Sequence, residues 1–197
     1  MSDLGRYRPL SYFQLMEVSL RELLVEKGVL SERQIDETVA DMRARGPERG
    51  AKVVVRAWTD AGYKRRLLAN GSAACEELGL DVPALRLVVV ENTPEVHNVI
   101  VCTLCSCYPR TLLGLPPDWY KSRNYRSRVV REPRAVLAEF GTVLPAGVTI
   151  RVHDSTADMR YMVLPMRPAG TEGWDEERLA ALVTRDSMIG VALPTAP

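Results

Sequence analysis

Apolar residues Leu15, Val18, Leu20, Leu23 and Leu24 follow Ser11 at close to helical spacing, and the stripe stops near Gly28. A small hydroxyl residue before such a stripe marks a helix start, because its oxygen accepts an otherwise unpaired backbone N–H. Ser31 opens a second stripe of Ile35, Val39 and Met42, and Gln34, three residues on, completes a capping-box pattern. This stripe ends before Gly46-Pro47. Two amphipathic helices alone bury little, so they are expected to pack on their own domain or to form an arm that embraces another subunit. The glycine and charge of Gly46 to Gly50 suggest a boundary there. The expected organisation is an arm over residues 1–48 and a metal-binding catalytic domain over 49–197.

Beyond the boundary the pattern mixes periods. The β-branched run Val53-Val54-Val55 before Trp58 favours a strand. Ala61 to Leu78 predicts one helix, with Tyr63, Leu67, Leu68 and Ala74 on one side and Gly79 as its stop. Leu85 to Val90 and Val99 to Val101 are apolar enough for buried strands, separated by the turn residues Asn92-Thr93-Pro94. A short helix with turns is expected before Phe140. Val148 to Val152 and Arg160 to Leu164 read as an antiparallel hairpin turning at Asp154-Ser155, and Asp175 to Val183 reads as a final helix. The sum is an α+β fold: helices first, then mixed strands and helices.

Composition narrows the function. The 197 residues are 46% hydrophobic, enough for one full core plus an appendage. A net charge of +1 gives no electrostatic case for nucleic acid or an anionic membrane. No apolar run approaches the roughly 20 residues of a spanning helix, and the N-terminal stretch lacks a signal-peptide core. Four cysteines, three of them in one loop, do not suggest a disulfide scaffold. The expectation is a cytoplasmic metal protein.

Those three thiols are the centre of the chain: Cys102-Thr103-Leu104-Cys105-Ser106-Cys107. A Cys-x-x-Cys turn brings two sulfurs to one side, and Cys107 follows two residues later. In so tight a loop the Ser106 and Cys107 backbone nitrogens approach the same point. Soft thiolates select zinc, copper(I), iron or cobalt over magnesium or calcium. Three sulfurs and two deprotonated amides make five ligands and leave one octahedral position open, as a catalytic metal requires. Two other readings stand on the residues alone. One is a closed zinc site with His97 or Cys75 as fourth ligand, and the other is a redox switch of Cys105 and Cys107. Cys75 itself, inside the expected helix, reads as a small core residue.

The run Val101 to Pro109 resembles the metal-binding signature of nitrile hydratase α subunits. Leu113-Gly114-Leu115-Pro116-Pro117, Trp119 to Ser122, Tyr125 to Val130, Arg167 to Thr171, Gly173-Trp174 and Arg185 to Val191 resemble the same family. The likeness runs from about Gly50 to Val191. Threonine at Thr103, where serine is the alternative, resembles the cobalt branch more than the iron branch.

The resemblance implies a layered α-β-β-α domain preceded by the arm, and hydration of a nitrile to its amide. It implies a low-spin cobalt(III), more than iron, bound by Cys102, Cys105 and Cys107 with the Ser106 and Cys107 amides. Cys105 is then expected as a sulfinic acid and Cys107 as a sulfenic acid, with Cys105, Ser106 and Cys107 as the catalytic residues. The attacking oxygen is either a hydroxide or the Cys107 sulfenate. A β-type subunit, whose arginines steady the oxidised sulfurs, and an activator protein that delivers metal are the implied partners. Three positions depart from the family: Arg110 stands where tryptophan is frequent, Glu95 where glutamine is, and Asn98 where a second histidine is. Arg110 and Glu95 are expected either to form a surface pair or, with Tyr108, to line the substrate pocket. They would suit a larger polar nitrile, such as a nucleoside nitrile of the toyocamycin type. The same departures admit a second member of the fold, the γ subunit of thiocyanate hydrolase. Arg126, Arg128, Arg131 and Arg134 read as a solvated basic face or an interface, and His153 as a strand-end residue.

Overall fold

The computed structural model describes residues 10–82 and 86–196; Leu85, where a strand was expected to begin, lies outside the described residues. The chain divides into two units, Met1–Met42 and Arg43–Pro197.

The first unit carries α1 (Tyr12–Glu26) and most of α2 (Glu32–Ala44). The capping box expected at Ser31 forms, and Ser11, expected as a cap, makes one as well. Gln14 N donates to Ser11 Oγ while Ser11 N donates to Gln14 Oε1, and Gln34 and Ser31 repeat the exchange. Arg21 of α1 bridges Glu32 and Asp36 of α2 at 2.5 and 2.7 Å, exposed pairs that solvent and salt screen. Neither helix has a buried residue. Phe13 is 79% exposed, and Leu15, Leu20 and Leu23 are also open to solvent.

The second unit opens with α3 (Glu48–Thr59), where a strand was expected. Val53, Val54 and Val55 are fully or almost fully buried, whereas Glu48, Lys52, Arg56 and Thr59 are exposed. That polar spacing is helical, and burial against the core overrides β-propensity. Gly50 allows the close packing, since a Cβ there would lie 2.6 Å from Met188 Sδ and 2.8 Å from a Leu113 methyl. The single helix expected over Ala61 to Leu78 is two, α4 (Ala61–Ala69) and α5 (Gly71–Glu76). Asn70 is extended and caps α5 by accepting from Ala73 N, which breaks the run.

Four strands follow: β1 (Arg86–Glu91), β2 (Val96–Val101), β3 (Thr149–Asp154) and β4 (Met159–Leu164). They make two parallel pairs, β1 with β4 and β2 with β3. The antiparallel hairpin expected of β3 and β4 does not form. Each strand instead joins a partner far upstream, and the long crossover from β2 to β3 carries α6 (Arg110–Leu113), α7 (Asp118–Lys121), α8 (Arg123–Arg128) and α9 (Pro133–Glu139). α10 (Glu176–Ala180), capped by Asp175, and α11 (Arg185–Ile189), capped by Thr184, complete the chain. Leu67, Val99, Ile100, Leu112, Met162 and Met188 are fully buried members of one core. The fold is α+β, with small strand layers and surrounding helices.

Candidate metal centre

β2 ends at Val101, whose carbonyl accepts from Ser155 N at 2.7 Å, and the next residue is Cys102. The strand is buried along its last five residues, so the thiol loop grows from a rigid base. Cys102 is buried, Cys107 half-buried and Cys105 exposed. The Sγ atoms lie 3.6 Å apart for Cys102 and Cys105, and 3.5 Å apart for Cys105 and Cys107. All three fall within 4.8 Å of one another. These separations are too long for disulfides, and the thiols are free.

The loop is pinned from several sides. Asp154, the last residue of β3, accepts from Thr103 N at 2.9 Å and from Thr103 Oγ1 at 2.5 Å. Arg126 Nη1 donates to Thr103 O at 3.2 Å. Cys105 N points to Cys102 Sγ at 3.2 Å. At the far end Tyr120 Oη donates to Cys107 O at 2.9 Å, and Tyr125 Oη donates to Ile100 O at 2.7 Å. Tyr108 is buried edge-on against Tyr120, with ring centroids 5.1 Å apart. The parallel register of β2 and β3 sets Val101 opposite Asp154, and this is what delivers the carboxylate to the loop.

The thiols differ in acidity. Hydrogen bonding around its sulfur, chiefly from the Ser106 backbone and then from the flanking thiols, holds Cys105 down to about 7. Burial first, then the proton shared with Cys105, pushes Cys107 up to about 12. Of these two, the exposed Cys105 is the more acidic.

Other donors are spent elsewhere. His97 is buried, with Nε2 2.7 Å from Gly190 O and Nδ1 3.3 Å from Asn92 Nδ2. Burial holds it below the ordinary histidine value. Cys75 is buried on α5, its thiol pushed up to about 12 by the same cause. No fourth histidine, cysteine or acidic ligand joins the three thiols among the described residues, so the closed zinc set imagined with His97 or Cys75 does not assemble. A soft metal held here takes three sulfurs, and the donor set fits an incompletely enclosed ion with backbone nitrogens at hand.

Ser106, Tyr108 and Arg110 join Cys105 and Cys107 around one cleft of about 380 Å³, with Thr111 and Arg160. Glu95 does not. It precedes β2, accepts from Thr93 Oγ1 and passes its carbonyl to Thr149 N. The six residues of β2, roughly 20 Å of extended chain, separate it from Cys102, and no Glu95–Arg110 pair forms among the described residues. Asn98 belongs to a buried network: His153 Nε2 lies 2.8 Å from its Oδ1, and its Nδ2 donates to Glu91 O and Asn92 Oδ1. The basic cluster is used internally. Arg128 pairs with Glu132 and Glu139, Arg131 donates to Ser127 O, and Arg134 donates to three carbonyls. The residues that sequence reading missed are Asp154, Arg126, Arg160 and Tyr120. Tyr120 and Arg126 come from the crossover itself, whereas Asp154 and Arg160 lie beyond it, and only the pairing of β2 with β3 would have revealed Asp154.

Residues 11–192 match the family model described as nitrile hydratase, alpha chain. The chain is 56% identical over 176 residues to the cobalt-containing nitrile hydratase subunit alpha of Pseudonocardia thermophila, covering 88% of this chain and 86% of that one. It is 44% identical over 196 residues to the thiocyanate hydrolase subunit gamma of Thiobacillus thioparus, covering 93% and 81%. Among solved structures, a double mutant of the iron-type nitrile hydratase from Comamonas testosteroni Ni1 superposes with a TM-score of 0.90 at 46% identity, covering 96% of this chain and 94% of that chain. By these measures the chain belongs to the nitrile hydratase α-chain family.

Proposed function

We propose that this chain is the metal-bearing subunit of a nitrile hydratase, adding water across a C≡N bond to give the amide. The observation that carries the reading is the convergence of Cys102, Cys105 and Cys107 within 4.8 Å, free of disulfides and without a fourth ligand among the described residues. Those sulfurs, with the Ser106 and Cys107 backbone nitrogens, hold the metal. Cobalt is favoured over iron by Thr103 and by the cobalt-containing relative. Bound there, a trivalent ion supplies Lewis-acid polarisation of the nitrile.

This chain's residues do the rest. Cys105, exposed and more acidic than Cys107, is the thiol most open to oxidation, and we assign it as the sulfinic acid, with Cys107 as the sulfenic acid. The Cys107 sulfenate oxygen and a water are the two candidate nucleophiles. Ser106 places a hydroxyl in the cleft beside them, and Tyr108 and Arg110 line the space where substrate enters. Asp154, Tyr120 and Tyr125 fix the loop and so position the sulfurs.

The relatives are named as subunits, which supports an assembly with a β-type chain; delivery of the metal by an activator protein is proposed from the family resemblance alone. Residues 1–48, with α1 unburied, would serve as the arm toward that partner. Four free cysteines suit a reducing compartment such as the cytoplasm. No helix among the described residues is long and apolar enough to cross a membrane. Similarity to the Thiobacillus subunit supports thiocyanate hydrolysis as the second reading. The test is amide formation from a neutral nitrile by the protein co-expressed with its β-type partner and activator. The Cys107→Ala variant is expected to lose at least a hundredfold in kcat. Turnover of thiocyanate with no nitrile hydration would favour the second reading.

A further inference from the structure

The cleft at the thiol loop carries two guanidinium groups and no carboxylate. Its lining is Cys105, Ser106, Cys107, Arg110, Thr111 and Arg160, with the buried Tyr108 behind them. Several arginines elsewhere find partners within the chain: Arg21, Arg33, Arg66 and Arg128 pair with acidic groups, and Arg126, Arg134 and Arg185 donate to carbonyls. Arg110 and Arg160 pair with no acidic group among the described residues. Arg160 reaches only its neighbour Met159 O, at 3.4 Å, and its Nε is buried without a partner. It lines the cleft together with Cys105 and Cys107. Arg110 is exposed at the first turn of α6, three residues from Cys107.

We propose that Arg110, assisted by Arg160, reads a carboxylate on the substrate, so that the preferred substrates are nitriles carrying an anionic group at the end away from the C≡N. The inference rests on the hydratase reading and names its substrate class. A planar guanidinium fork matches a carboxylate with two parallel hydrogen bonds, and the charge steers anions into the cleft. A neutral alkyl nitrile makes no use of either group. Thiocyanate is also an anion bearing a C–N multiple bond, but its three atoms would leave most of a cleft of about 380 Å³ empty. A cyano-carboxylate spans both ends.

The test uses the cobalt-loaded enzyme assembled with its β-type partner. Initial rates are compared for 3-cyanopropanoate and its uncharged isostere 3-cyanopropanamide. Binding of the corresponding amides, succinamate and succinamide, is measured by NMR titration, which needs no turnover. The expected result is that the anionic member of each pair is preferred about tenfold or more. Arg110→Gln should erase that preference through KM and Kd, Arg110→Lys should restore part of it, and the effect should weaken as salt is raised. Equal handling of charged and uncharged members, or a preference that survives Arg110→Gln, overturns the proposal. Preference for thiocyanate over 3-cyanopropanoate also overturns it, assigning the arginines to a small anion. Hydration of the uncharged nitrile without charge preference leaves the hydratase reading intact. If neither nitrile is hydrated, that reading fails, and the NMR titration still decides the anion site.

Discussion

Asp154 stands 51 residues after Thr103, yet its two carboxylate oxygens take both Thr103 donors. Hydrogen bonds to a charged acceptor contribute roughly 1.5–3 kcal/mol when buried, and less at a partly exposed site such as this. Asp154→Ala is therefore expected to loosen the thiol loop and lower metal affinity about tenfold, with Asp154→Asn in between. Metal retained against a graded chelator checks this. Gly190 is equally constrained: its φ is 93° and a side chain would collide with Asn98 O. Gly190→Ala should cost about 2–4 kcal/mol, through left-handed backbone and the clash together. Calorimetry should then show a fall in Tm of several degrees. Both histidines are held below their ordinary value by burial, which is the larger cause in each; Arg151 adds to it at His153. An unfolded histidine gains its proton near pH 6.5, so below that pH the unfolded chain binds more protons than the folded one. Stability is thus full above about pH 6.5 and falls as the pH drops toward the lowered folded values. Urea midpoints at pH 7.5 and 5.5 should show the loss, and His97→Gln, although less stable overall, should show a smaller difference between the two.

At the scale of elements, local chemistry sets where helices begin and stop. Asn70 separates α4 from α5 by capping the second with its side chain. Asn70→Ala should cost about 1 kcal/mol, within the usual range for an N-cap, visible as a shift in the urea midpoint. Such caps were legible in the sequence: Ser11, Ser31 and Asp175 each start a helix where their residue type said one should start. Elements decided by tertiary packing were not. Val53-Val54-Val55 has the β-branching of a strand, and only the flanking Glu48, Lys52 and Arg56, spaced four apart, carry the helical signal. β3 and β4 are adjacent in sequence and looked like a hairpin, but each pairs in parallel with a strand some 50 to 70 residues upstream. No local feature encodes a pairing across a crossover of that length. The same blindness hid Asp154 and wrongly gathered Glu95 to the site, since both depend on which end of which strand lies beside the loop. The thiol loop itself was legible because all its sulfurs come from six consecutive residues.

For the whole molecule, charge balance and composition described a folded protein with no bias toward nucleic acid, and specificity comes from one loop set on a buried strand. The core holds β2 rigid, the β2–β3 pairing brings Asp154, and the crossover supplies Tyr120, Tyr125 and Arg126. Everything around Cys102, Cys105 and Cys107 thus serves to keep three sulfurs within bonding reach of one ion. The central claim is that these thiols bind cobalt and mature by oxidation. The most direct measurement is metal content and peptide mass of the chain co-expressed with its partner and activator. About one cobalt per chain, with two added oxygens on Cys105 and one on Cys107, is the predicted result. Zinc bound by three unmodified cysteines would contradict it.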